Sequence, residues 1–172
     1  MLAITPSALP ATDTWPSIWS DVNLWRGRAM DEFARAEAAV SEALLLLSEV
    51  PGRGEPVSLP HLVGQRFAAL GELVSENGAF AAEGKGVAKS LAEWNLHHTF
   101  RSLLCHGTAT VTVDHRGRWH LVLKMLTFRS GEAVRESMVI DEEEAAERLT
   151  ALHASRQRLE GRLRGMTAGI CR

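Results

Sequence analysis

Apolar positions recur at helical spacing over most of the chain. From about Ser20 to Val50, Met30, Phe33, Val40, Leu44 and Leu47 follow one another in steps of three and four, a pattern that predicts a long amphipathic helix. Glu37 occupies the missing position in that stripe, where a carboxylate is costly unless paired. The run Pro51-Gly52-Arg53-Gly54-Glu55-Pro56 breaks the helix. A second helix starts near Ser58 and Pro60, buries Val63, Phe67, Leu70 and Val74, and ends at Asn77-Gly78. Glu83-Gly84-Lys85-Gly86 has neither a preceding strand nor the spacing of a phosphate loop, so it reads as a flexible connector. A third helix is expected from Val87 to His106. At about 100° per residue it groups Ala92, Leu96, Phe100 and Leu103 on one face and Asn95, His98, Ser102 and His106 on another.

After Gly107 the period shortens. Thr108 to Val113 and Trp119 to Phe128 are rich in β-branched and aromatic residues, with His115-Arg116-Gly117-Arg118 as the turn between them and a third strand at Val134 to Ile140. Asp141 is a good N-cap, with Glu144 three residues on. Ala145, Leu149, Leu152, Leu159, Leu163 and Met166 then mark the seam of a last helix. Arg156 fills a gap in that seam as Glu37 does in the first, so the simplest expectation is an inward Glu37–Arg156 pair. The predicted fold is mainly α: an up-and-down bundle of four to five helices with a small antiparallel β-meander, about residues 108–140, inserted before the last helix. Residues 1–16, rich in Pro, Thr and Ser, are expected to form a flexible tail ahead of one domain over 17–172, with Trp15, Trp19 and Trp25 clamping it to the bundle.

Composition narrows the class. With 172 residues, 45% apolar and 23% charged, the chain has the make-up of one globular domain. A net charge of −2 gives no global field for nucleic acid, so any such contact needs a local patch. Between Asn95 and Arg135 the charges are Arg101, Arg116, Arg118, Lys124, Arg129 and Arg135 against Asp114 and Glu132 alone. Arg116, Arg118 and Lys124 are thus candidate phosphate contacts, and equally candidate protection for strand edges. No stretch is long and apolar enough to span a membrane. Cys105 and Cys171 suggest no disulfide framework, and a cytoplasmic protein is the expectation. No metal or cofactor is expected: His97-His98 and Cys105-His106 point in divergent directions, and no second Glu/His pair accompanies Glu93 and His97.

A solvated helix face normally carries Lys and Glu, yet Leu91 to Gly107 displays Asn95, His98, Arg101, Ser102 and His106. Histidine can move protons near neutrality, and arginine's fork can hold a phosphate in two hydrogen bonds. Together they meet part of what metal-free RNA cleavage needs: a base for the 2′-hydroxyl and a cation for the phosphorane. Glu93 precedes His97 and Arg101 on the ladder of four-residue steps and could orient His97 or pair with Arg101. On one straight helix the directions of Arg101 and His106 differ by about 140°, so a second copy of the helix, or fraying at Gly107, is needed to aim both at one point.

The Arg-x-x-x-x-His-Gly ending, Arg101 to Gly107, followed by strands and a last helix, resembles the HEPN superfamily over about residues 20–166. The resemblance implies a metal-independent endoribonuclease of toxin or defence type. In such an enzyme Arg101 would be the phosphate ligand and His106 the proton-transfer residue, at a cleft shared by two protomers of a homodimer, with RNA as substrate and an antitoxin as a further partner. The family most often places Asn or another polar residue directly after the Arg. Here Ser102 stands there, with His98, Asn95 and Glu93 as supporting residues, and a non-catalytic HEPN-like module that binds nucleotide, RNA or a protein partner is the alternative.

Overall fold

The computed structural model describes residues 14–170. The element order is α1 (Thr14–Ser48), α2 (Val63–Leu73), α3 (Ala81–Asn95), α4 (His98–His106), β1 (Thr108–Val113), β2 (Trp119–Arg129), β3 (Glu132–Asp141) and α5 (Glu142–Ile170). Five helices and a three-stranded antiparallel sheet inserted before the last helix are the predicted fold. The long α1 and α5 lie against each other, α3 packs on α5, α2 bridges α1 and α3, and the short α4 joins α1 to the sheet. Among the described residues no helix is long and apolar enough to cross a membrane.

Helix α1 buries Val22, Trp25, Ala29, Phe33, Ala36, Val40, Leu44 and Leu47, a stripe at three- and four-residue steps that alternates large and small side chains so the facing helices can interlock. The helix begins earlier than expected, taking in Thr14, Trp15 and Pro16 from the expected tail. Pro16 is tolerated because the first turn has no intrahelical partner for the amide it lacks. Residues 1–13 of that tail lie outside the described residues. The three tryptophans do not act as one clamp. Trp25 is buried and its indole N–H donates to the Ala145 carbonyl at 2.7 Å, tying α1 to the start of α5, whereas Trp15 remains 46% exposed.

Helix α2 is shorter than expected at both ends. The carbonyls of Pro60 and His61 accept hydrogen bonds from the Arg66 guanidinium instead of joining the helix. Beyond Leu73 the chain folds back, with the Phe80 amide donating to the Leu73 carbonyl. Glu83-Gly84-Lys85-Gly86 is not a connector but the first turns of α3. The reason is tertiary: Gly84 is buried, and a Cβ there would stand 2.5 Å from the Cβ and Cγ1 of Val74, so the glycine permits contact between α3 and the end of α2. Gly84→Ala sets a helix-propensity gain of about 1 kcal/mol against that clash. Because Val74 is short, branched and buried, the clash wins. We expect a net loss of about 1–3 kcal/mol, read as a lower urea midpoint. Gly161→Ala, where an added Cβ meets nothing within 4 Å, should instead stabilise by about 0.4–1 kcal/mol.

The sheet has the order β1-β2-β3. Pairing Val111 with Leu121, Leu121 with Ile140 and Ala109 with Leu123 puts the apolar side of all three strands on the helices. Ser130 and Gly131, both at positive φ (52° and 85°), form the tight turn between β2 and β3. Asp141 caps α5 as expected, its carboxylate accepting the Glu144 amide at 2.8 Å.

Candidate functional site

The expected third helix is two helices, and the break creates the candidate site. At Leu96 and His97 the backbone tightens, with Leu96 N–H donating to Glu93 and His97 N–H to Trp94. Helix α4 then restarts with Arg101 N–H donating to the His97 carbonyl. The break removes Ala92 and Leu96 from the apolar face on which a continuous helix places them. Leu96 is 83% exposed, while Val87, Leu91 and Trp94 of α3 and Phe100, Leu103 and Leu104 of α4 enter the core. It also sets Asn95 at the end of α3 beside His98 and Arg101 of α4.

These three polar side chains line a partly open cavity of about 290 Å³ between α1, α2, α3 and α4. Its apolar walls include Phe33, Phe67, Leu91 and Trp94. The rings of Phe33 and Trp94 meet edge to face with centroids 5.5 Å apart, which fixes that wall. Val63 and Phe67, expected in the buried stripe of α2, are only half-buried because they face this space.

Arg101 and Glu37 meet at the cavity. Arg101 Nε donates to Glu37 Oε1 at 2.7 Å, and both side chains are largely buried, at 28% and 21% exposure. Ala36, not Glu37, fills the position in the apolar stripe of α1, and the guanidinium satisfies a carboxylate at the stripe's edge. The contact uses one edge of the fork; among the described residues no hydrogen bond to protein engages Nη1 or Nη2 of Arg101. An anchored guanidinium with free terminal N–H groups in a cavity is suited to accept an anionic group.

The other expected site residues are dispersed. His106 is exposed at the far end of α4 and does not line the cavity. Helix α4 runs unbroken to His106 and Gly107 is extended, so no fraying brings His106 round to Arg101. Ser102 is half-buried and also outside the cavity lining. Glu93 orients neither His97 nor Arg101; its carboxylate lies 3.4 Å from Arg158 of α5. His97 packs edge to face on Trp94, and burial, with lesser effects from Arg148 and Arg158, holds its imidazole below the ordinary pKa. Lys124 sits opposite Thr108, close to the end of α4, but Arg116 and Arg118 lie at the tip of the β1–β2 hairpin, about 17 Å further along the strand. Arg118 is engaged by Asp114 at 3.0 Å. Backbone hydrogen bonding from Arg118 leads the contacts that pull the Asp114 carboxyl down to about 2, so this loop is a tied turn rather than a second half of the site.

The expected Glu37–Arg156 pair does not exist. Glu37 meets Arg101, and Arg156 is buried against Glu32 of α1, with Arg156 Nη1 2.7 Å from Glu160. Glu32 also takes His153 Nδ1 at 2.9 Å. Burial works to raise the Glu32 pKa, but hydrogen bonds from His153 and then Arg156 outweigh it and hold the carboxyl below its usual range. Sequence reading missed Glu32 and His153. The available signal was the spacing of His153, Arg156 and Glu160, at i, i+3 and i+7 on one face of α5. Among the described residues no group of three His, Cys, Asp or Glu side chains could hold a metal ion. No known family model, curated protein or solved structure matches this chain.

Proposed function

We propose that this protein is a binding module for a small planar ligand bearing an acidic group, with a mononucleotide as the best-fitting class. One observation carries the reading: Glu37 anchors Arg101 through Nε alone, leaving its terminal N–H groups to a cavity whose walls include Phe33, Phe67 and Trp94. A phosphate or carboxylate on Arg101, a flat ring against Phe67 and Trp94, and ring-edge hydrogen bonds to Asn95 and His98 use each feature of the site. A volume of about 290 Å³ lies at the small end for ligand pockets and favours a single nucleotide over a longer chain.

The test is titration with the four ribonucleoside monophosphates, read by calorimetry and by tryptophan fluorescence, since Trp94 lines the cavity. Arg101→Ala removes a hydrogen bond to a charged group and should weaken binding about tenfold or more, with Arg101→Lys in between. Failure of the folded wild-type protein to bind any of the four would overturn the reading.

The alternative is the metal-independent endoribonuclease of toxin or defence type. It is favoured by the exposure of His106, for which the described residues supply no partner, two residues before Thr108, which pairs with Lys124. In that reading a second copy of the chain brings its own histidine to Arg101, and the homodimer, an RNA substrate, an antitoxin and a cytoplasmic setting follow as parts of the same proposal. Incubating wild type, Arg101→Ala and His106→Ala with labelled RNA in EDTA separates the two. Cyclic 2′,3′-phosphate ends made by wild type alone would establish the nuclease, whereas mononucleotide binding without cleavage would leave the binding module.

A further inference from the structure

A second constellation lies between α1 and α5, away from the Arg101 cavity. His153 Nδ1 stands 2.9 Å from Glu32 Oε1 and 3.2 Å from Arg156 Nη2. One ring nitrogen cannot donate to the carboxylate and accept from the guanidinium at once. The carboxylate is closer, and Arg156 already spends Nε on Glu32 and Nη1 on Glu160. Nδ1 therefore carries the hydrogen, which in the neutral ring leaves the lone pair on Nε2. The His153 side chain is 48% exposed, and the ring lines an open groove of about 700 Å³ whose floor passes Gly27, where an added Cβ would meet nothing within 4 Å. Glu32, by contrast, is only 13% exposed, so the group that fixes the ring is itself held by packing.

Among the described residues Arg28 is the one guanidinium lining this groove. Asp31 is paired with Arg35 at 2.7 Å, and Glu32 is paired with Arg156. Arg28, one helical turn before Glu32, lines the same groove and takes no partner among the described residues. The groove thus offers a guanidinium that no side chain among the described residues engages, together with an oriented imidazole acceptor. The Thr150 hydroxyl in its wall is already committed as a donor, to the Ala146 carbonyl at 2.9 Å.

From this geometry we infer that the α1–α5 groove is a second ligand site, for a small anion that carries a hydroxyl group near its charge. Arg28 meets the anionic group and His153 Nε2 accepts the hydroxyl hydrogen. A phosphorylated sugar has this chemistry, whether free or as the ribose phosphate of a nucleotide. Glu32 is the positioning residue, since it selects the tautomer that makes Nε2 an acceptor.

The probe is ribose 5-phosphate, with adenosine 5′-monophosphate as a second arm, titrated into nitrogen-15-labelled protein while the histidine ring signals are followed. His153→Gln identifies the resonance. The expected result is an unprotonated Nε2 at His153 in the free protein, moving saturably on addition of ribose 5-phosphate and unmoved in Arg28→Ala. Response to the nucleotide alone would identify the source as a nucleotide ribose, and response to both a free sugar phosphate. Protonation of Nε2 rather than Nδ1, no movement with either probe, or equal movement in Arg28→Ala would overturn the inference. Arg101→Ala should leave the His153 response intact, so this test and that of the Arg101 cavity can fail separately.

Discussion

Arg156→Ala should be among the most destabilising single substitutions in the chain, by about 3–5 kcal/mol. Arg156 is 8% exposed and joins Glu32 of α1 to Glu160 of its own helix. Removing it leaves two poorly hydrated carboxylates facing a space without their cation, and that uncompensated charge dominates over the lost packing of the side chain. At roughly 2–4 °C per kcal/mol for a domain of this size, thermal unfolding should come at least several degrees earlier. The double substitution Arg156→Met with Glu32→Leu removes the charge pair instead of breaking it and should cost less than Arg156→Ala. If the double variant proves the worse of the two, charge is not what the network contributes.

The same network predicts a pH dependence with a definite sign. Glu32 is held below its ordinary value of 4.5, so its contribution is present above about that pH and is lost as pH falls through the lower, folded-state value. The gap in stability between wild type and Arg156→Ala should therefore narrow in acid, where Glu32 is protonated in both. Chemical denaturation of the two proteins at neutral pH and in acid measures it. A gap independent of pH would show that Arg156 acts through packing alone.

Phe33→Ala should cost about 3–5 kcal/mol and alter the candidate site as well. Phe33 is 1% exposed, with its ring centroid 5.5 Å from Trp94 and 6.1 Å from Phe100, so truncation removes the contact between α1, α3 and α4 where the expected third helix is broken. Aromatic pairing adds about 0.5–1.5 kcal/mol per pair beyond burial, which places this position at the upper end of that range. Phe33→Leu retains most of the volume and should cost much less. Because Phe33 also walls the Arg101 cavity, the alanine variant should change Trp94 fluorescence in the folded protein and weaken monophosphate binding. Unfolding midpoints and titrations on the two variants separate the structural from the ligand effect.

Much of this architecture was legible in local pattern. The stripe on α1, the seam of α5 from Ala145 to Met166, the Asp141 cap and the strand alternation of the meander are set by side chains within a few residues of one another. Periods of 3.6 and 2 register such relations directly. The candidate site was legible only in part. Arg101, His98 and Asn95 stood out as unusual residues for a helix surface, and periodicity already set Asn95 beside His98; the break at Leu96–His97 has neither proline nor glycine to announce it.

The sequence by itself determined the apolar faces of α1 and α5, where the chain changes from helix to strand, and that Glu37 and Arg156 are charges requiring partners. Only the tertiary structure decided who those partners are: Arg101 for Glu37, Glu32 and Glu160 for Arg156. It likewise turned Gly84 from an apparent connector into a contact point, and placed Arg101 on a cavity and His106 on the surface. The physical reason is the range of the interactions. Periodicity fixes the direction of a side chain around its own helix, whereas an ion pair depends on the rotation and axial shift of one helix against another. Those are settled by the packing of the whole core, in which Phe33, Trp94 and Phe100 weigh more than the charges they carry along.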